Sequence, residues 1–235
     1  MFITFLFGLT VLLGTIIILL FKRKKKISEL SISIAFSVLF CLIFLEVIPH
    51  TLEHINYFNM IIFALIGFVL LKLLDIFIPD HEHSNHKEHV FHIGLMSSIA
   101  LIIHNLIEGM ILYSTLNKNF NLGILLGIGI GLHNIPLGMV IGSTLKDAKY
   151  SKIKIILISF LISLSTFIGS FILYLIGDVS EFFIGVMFAI TLGMLVYIVF
   201  FELLEHLKHQ NKKNNITGFI IGALIICISL IFHHH

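Results

Sequence analysis

Residues 101–110 read "LIIHNLIEGM", a histidine, an asparagine and a glutamate in a stretch that is otherwise almost wholly apolar. The apolar run around them, residues 93–116, is of the length a helix needs to cross the roughly 30 Å of hydrocarbon in a bilayer. Ionisable groups at membrane depth cost about 2.5–3.5 kcal/mol each on insertion scales, so they default to a functional role with a partner to be named.

The rest of the chain supports a membrane setting. Of 235 residues 58% are hydrophobic and 12% are charged, and there is no tryptophan. The mean hydropathy is +1.08, far above that of a water-soluble domain. Apolar runs recur at 1–21, 29–49, 56–78, 93–116, 121–145, 153–176, 180–204 and 215–232, which predicts an all-α, polytopic membrane protein with eight transmembrane helices. Short connections leave no room for a sizeable soluble domain, so residues 1–235 form a single transmembrane domain, and no nucleic-acid partner is expected. Cys41 and Cys227 form no CxxC pair and are expected to be small core residues.

The connections differ in charge. "KRKKK" follows the first run, Lys146, Lys149, Lys152 and Lys154 follow the fifth, and Lys208, Lys212 and Lys213 follow the seventh. The connections that alternate with these, after the second, fourth and sixth runs, hold at most Lys118. Basic loops face the cytoplasm, so both termini are expected outside and residues 79–92 inside. The basic run follows the first span instead of preceding it, the reverse of a secretory signal peptide, so that span is expected to be retained.

His104 and Glu108 are four apart and share a helix face, with Asn105 three before Glu108. Imidazole, carboxylate and amide oxygen converging on one point suit Zn²⁺ or a neighbouring divalent ion. A lone His–Glu pair is equally read as two side chains hydrogen-bonded as glue between helices. The next span tilts the balance: "HNIPLGM" at 133–139 matches "HNLIEGM" at 104–110 in His, Asn, Gly and Met. Antiparallel neighbours would bring His133 and Asn134 against His104 and Glu108. Pro136, lacking an N–H, deprives the Leu132 carbonyl of its helical partner, and a kink with a freed carbonyl is expected there.

These paired motifs, with a histidine-bearing connection between the third and fourth spans, resemble the ZIP (Zrt-, Irt-like) family of divalent metal transporters. "FLEVIPHTLE" at the end of span two and "GMLVYIVFFELLEH" in span seven are similar to that family's segments there, more weakly. The resemblance implies a homodimer of eight-span protomers in a 3+2+3 arrangement, with alternating access and a metal site between spans four and five. It carries the metal ligands onto His104, Glu108 and the adjacent Asn105, and the polar pair of span five onto His133 and Asn134. Two departures stand out. Where prokaryotic members often read "HNIPEG" this chain has Leu137, and where they read "EPxG" in span six it has Thr166, Phe167, Ile168 and Gly169. Two bridging carboxylates are thus absent, which leaves one metal site expected instead of two.

Other polar groups carry weaker signals. Glu46, His50, Glu53 and His54 follow helical spacing at the end of span two, as a cation-attracting entrance or as a solvated helix end. Glu202, Glu205, His206 and His209 close span seven, as an exit relay or as interfacial hydrogen-bonding groups. The tract "DHEHSNHKEHVFH", residues 80–92, with His81, His83, His86, His89 and His92, is either a metal-binding segment or a polar connector. Gly123, Gly127, Gly129 and Gly131 form a small-residue face for close helix approach, and His233, His234 and His235 carry no functional weight.

Two other chemistries use similar residues. A membrane-embedded zinc hydrolase would need an open metal position, yet HExxH is absent. A haem b protein could use His104 and His133 as axial ligands, but a glutamate one turn away has no purpose there. The expectation is therefore a secondary transporter in the cell membrane, not an enzyme, with no cofactor. Its substrate is Zn²⁺ or a related ion such as Fe²⁺, Mn²⁺ or Cd²⁺, moved toward the cytoplasm. No GxxxxGK[ST] phosphate loop occurs, so the movement follows an ion gradient.

Overall fold

The computed structural model describes residues 1–21, 25–77, 86–177, 179–208 and 210–233, with side chains omitted at 25, 28, 77, 86–97 and 230–233. Among them only helices occur: α1 (Phe2–Gly8), α2 (Thr10–Leu20), α3 (Lys25–Leu42), α4 (Ile48–His54), α5 (Tyr57–Phe77), α6 (His86–Lys118), α7 (Phe120–Asp147), α8 (Lys152–Ile176), α9 (Glu181–Tyr197), α10 (Leu204–Lys208) and α11 (Lys212–His233). Two wide π-helical turns join α3 to α4, at Ile43–Val47, and α9 to α10, at Ile198–Leu203. Seven helical stretches among the described residues are long and apolar enough to cross a membrane. The eighth predicted span falls on α11, which is 22 residues long.

The predicted spans are therefore found, with changed ends. The first is interrupted at Leu9, between α1 and α2. α6 begins at His86, seven residues ahead of the predicted edge, because hydropathy marks the hydrocarbon boundary and a helix can continue into the headgroup layer. Residues 78–85, which include His81 and His83, and His209, His234 and His235 lie outside the described residues, and the side chains of His86, His89, His92 and His233 are likewise not described.

Lipid inverts the usual surface. Large apolar side chains such as Phe2, Leu65, Leu161 and Ile220 are exposed, while Thr4, Thr15, Ser159, Ser163, Thr166, Ser170 and Thr191 are buried. Helix association in a bilayer gains little from hydrophobicity and rests on small residues and hydroxyl hydrogen bonds. α6 and α7 lie side by side at the centre; α2 packs along α7, α8 along α6, α9 along α5 and α11 along α3. Thr15 Oγ1 of α2 donates to the Gly138 carbonyl at 2.9 Å, and Ser170 Oγ of α8 donates to the Gly109 carbonyl at 2.9 Å. Tyr197 of α9 donates its hydroxyl to Asp75 of α5. Lys146, one of the basic residues of the fifth connection, reaches back so that Nζ donates to the carbonyls of Ile18 and Phe21 at 2.9 and 2.6 Å. It satisfies acceptors that the end of α2 leaves open.

Cys227 is exposed on α11, not in the core, while Cys41 is half-buried. Helix α7 runs from Phe120 to Asp147 with Pro136 inside it, so the helix continues past the proline. The glycines of α7 divide their faces: Gly127 and Gly131 meet Phe7 and Thr10 of the first span, whereas the Gly129 carbonyl accepts from Ser229 Oγ of α11 at 2.8 Å.

Candidate metal centre

His104, Asn105 and Glu108 ride on α6, and His133 and Asn134 on α7; all five are at most 5% exposed. What fixes the depth of these two helices lies one position past Glu108 and five past His133. A Cβ on Gly109 would fall 1.9 Å from the Thr166 carbonyl oxygen, and one on Gly138 would fall 1.9 Å from that of Val11. Only glycine allows that approach, and it locks α6 and α7 in depth against α8 and α2.

Glu108 is the hub. His133 Nε2 lies 2.7 Å from Oε1 of Glu108, and because an ionised carboxylate only accepts, the imidazole N–H donates there. His104 Nε2 lies 3.0 Å from the same oxygen. Asn134 Nδ2 donates a long bond, 3.5 Å, to Oε2. One ligand atom each from His104, Glu108 and His133 fall within 4.8 Å of one another. Tetrahedral zinc with ligands at about 2.0–2.1 Å needs neighbouring donors about 3.4 Å apart, so the two imidazole nitrogens, 2.7 and 3.0 Å from the carboxylate oxygen, need to draw back from it only slightly.

Several buried polar atoms around this hub have no hydrogen-bond partner. They are both ring nitrogens of His104, Nδ1 of His133, both amide atoms of Asn105, Oδ1 of Asn134 and Oγ1 of Thr166. Unpaired buried polar atoms are costly, and their concentration here marks a place organised for a polar guest. The ring centroids of His104 and His133 are 6.0 Å apart, so the two imidazoles flank the carboxylate and do not stack on each other.

A cavity of about 280 Å³ descends to this hub. Its wall is formed by Glu46, His50, Glu53, His54 and Phe188, with Thr115, Leu122 and Leu126 opposite and His104 and Glu108 at its floor. The upper end lies where α4 meets α5 and α6 meets α7. There His50 Nδ1 pairs with Glu53 at 3.0 Å and His54 Nδ1 with Glu181 at 2.5 Å. Both imidazoles stack on Phe188 with centroids 6.0 and 6.3 Å away. On the far side of the hub the space shrinks to about 20 Å³ between Ala35, Leu39, Leu101, Leu137, Val140, Ile141, Leu195, Ile198 and Leu203. Leu137 is thus part of an apolar seal below the carboxylate.

Of the residues expected from sequence, His104, Glu108, His133 and Asn134 meet at one point. Asn105 is buried beside them, and Glu46 and His50 line the cavity above. Glu202 does not join them: it is 7% exposed in the second π turn and lies outside that cavity wall. Glu205 is exposed and His206 half-buried on α10. The two π turns, the hydroxyl clamps of Thr15 and Ser170, and Phe188 were not anticipated.

Residues 79–230 match the family model described as "ZIP Zinc transporter". The chain belongs to the ZIP zinc transporter family. The zinc transporter ZupT of Chlorobium chlorochromatii (strain CaD3) is 33% identical over 70% of this chain and 68% of that protein. The zinc transporter ZupT of Streptococcus mutans serotype c (strain ATCC 700610 / UA159) is 30% identical over 97% of this chain and 95% of that protein. As a ZIP protein, the chain is a multi-pass membrane transporter and not an enzyme, and the hydrolase and haem readings fall away.

Proposed function

We propose that this ZIP chain moves Zn²⁺, or a related divalent ion such as Fe²⁺, Mn²⁺ or Cd²⁺, across the cell membrane toward the cytoplasm. The ion is held by His104, Glu108 and His133, with Asn134, Asn105, the Leu132 carbonyl or water completing the shell. The observation that carries this reading is the convergence of three ligand atoms within 4.8 Å at the floor of the cavity.

The chemistry follows from the donors. Without a guest, His133 and Asn134 hydrogen-bond Glu108, while His104 stands beside the carboxylate with neither ring nitrogen hydrogen-bonded. An arriving cation replaces the His133–Glu108 hydrogen bond by two coordinate bonds, and His133 Nε2 must give up its proton or pass the N–H to Nδ1. Nδ1 lacks a hydrogen-bond partner in both histidines, so no existing bond opposes that tautomer. Nitrogen and oxygen donors favour Zn²⁺ over Mn²⁺ by ordinary ligand strength, while leaving neighbouring ions admissible.

Onward passage requires the packed layer of Leu101, Leu137, Leu195 and Leu203 to part, since no ion crosses an apolar seal unhydrated. Access therefore alternates, with the cavity closing as the seal opens. The basic connections support both termini outside, which turns the cavity to the exterior and the seal to the cytoplasm. Eight spans in a 3+2+3 arrangement, one transmembrane domain over 1–235 and a homodimer embedded in lipid complete the reading, by family resemblance.

Zinc uptake into proteoliposomes, with Fe²⁺, Mn²⁺ and Cd²⁺ as competitors, tests it. Uptake is expected from the wild type and to be lost in Glu108→Ala. Wild-type uptake by Glu108→Ala would remove the site.

A further inference from the structure

Glu46 sits in the wide turn Ile43–Val47, and its neighbours Phe44 and Leu45 are 50% and 42% exposed toward lipid while Glu46 is 7% exposed. A π turn adds one residue per turn and so rotates the face that follows it; such turns gather at functional sites. Pro49, whose ring crowds the Leu45 carbonyl, helps widen this one. The result is a buried carboxylate delivered to the wall of the same cavity whose floor is His104 and Glu108. His104, 2% exposed and lining that cavity, has an Nδ1 without a hydrogen-bond partner, a second sign that the space is built for a polar guest.

Charge gives the carboxylate a task. A divalent ion held by Glu108 and neutral imidazoles keeps a net charge of one at membrane depth, where each uncompensated charge is costly. A second carboxylate makes the assembly neutral. Glu46 is not among the three residues that already converge, so it belongs to the step before they close on the ion.

We propose that Glu46 is a second metal-ligating carboxylate, which holds the incoming divalent cation in the cavity together with Glu108 before the ion settles among His104, Glu108 and His133. This rests on the reading of Glu108 as a ligand. His50, Glu53 and His54 at the mouth concentrate cations, and Glu46 is the first buried donor they meet.

Initial rates of Zn²⁺ uptake into proteoliposomes, measured against zinc concentration, test the inference with Glu46→Gln, Glu46→Asp and Glu46→His. Gln is isosteric and retains hydrogen bonding but neither charges nor ligates zinc well; Asp keeps the carboxylate, and His keeps a metal-binding atom without the charge. Glu46→Gln is expected to raise KM by about tenfold or more, with Asp and His each recovering part of the loss. A purely structural Glu46 would let Gln restore wild-type kinetics, and a purely electrostatic one would make His as poor as Gln; either result overturns the proposal. Glu108→Ala run alongside separates the two levels. If it transports normally the underlying site is wrong, whereas a dead Glu108→Ala beside a normal Glu46→Gln refutes Glu46 alone.

Discussion

Gly109 and Gly138 hold equivalent places in two halves of the centre. Gly138 would set a Cβ 1.9 Å from the Val11 carbonyl and receives a hydrogen bond from Thr15, four residues on; Gly109 would set one 1.9 Å from the Thr166 carbonyl and receives one from Ser170, four residues on. The reciprocal contacts repeat as well, Gly14 against the Ile135 carbonyl and Gly169 against that of Leu106, each at 1.9 Å. The α2–α7 and α8–α6 pairs are thus one clamp used twice, in opposite directions across the membrane, and the candidate metal centre sits where the copies meet.

Gly109→Ala and Gly138→Ala each force two backbones apart, because neither clash is with a flexible side-chain end. Each is expected to cost about 1–3 kcal/mol or more and to lower the detergent-solubilised melting temperature together with zinc uptake. Gly131→Ala is the comparison: its Cβ would stand 3.2 Å from Thr10 Cγ2, a contact a methyl can relieve. Its melting temperature is expected to stay near wild type.

Glu108 offers the most direct test of the hub. Replacing it by Ala leaves two buried imidazoles facing each other and removes the anion that compensates a bound cation. Uptake is expected to fall by about a hundredfold or more, equivalent to about 3 kcal/mol, with the protein still eluting as the wild-type species on size exclusion. His104→Ala and His133→Ala are expected to fall by about ten- to a hundredfold, since each leaves the carboxylate in place.

The meeting of His104, Glu108 and His133 was legible because a bilayer leaves little ambiguity: polar residues four apart in an apolar run must share an inward face. The π turns were not, since hydropathy does not distinguish turns of different width. Yet "FLEVIPH" at 44–50 and "FFELLEH" at 200–206 match in Phe, Glu and His, and each places its glutamate, Glu46 or Glu202, in a π turn at 7% exposure. That duplication was the available signal. The clamps of Thr15 and Ser170 had none, because hydroxyls within helices usually bond to their own preceding turn, as Ser163 does to Ser159 at 2.9 Å and as Ser170 also can to Thr166 at 3.0 Å. Cys227 failed for a related reason: an apolar span shows no contrast between core and lipid faces.

The histidine tract gives a prediction from sequence. Residues 80–92 join two spans outside the hydrocarbon core and are not needed to complete the hub. A variant with His81, His83, His86, His89 and His92 changed to Ser is expected to keep wild-type maximal uptake and to change only the dependence on zinc concentration. Abolished uptake in a correctly inserted variant would place essential ligands in the tract.

Leu137 stands one turn beyond His133 and is 4% exposed in the apolar seal. Thr166 is fully buried. Two divalent ions a few ångströms apart repel strongly at low dielectric, and a carboxylate between them is what offsets that repulsion. With Leu137 and Thr166 in place the hub has only Glu108 between its histidines, and one ion per protomer is expected there. Leu137→Glu supplies an anion on the cytoplasmic side of Glu108 and hydrates the seal, so it is expected to bind zinc about tenfold or more tightly while releasing it more slowly. Anomalous diffraction from zinc-soaked crystals reads the outcome: one well-occupied peak against His104, Glu108 and His133 in the wild type, and a second beside residue 137 in the variant. Two well-occupied peaks in the wild-type hub, or one peak that avoids both His104 and Glu108, would refute the single-ion arrangement.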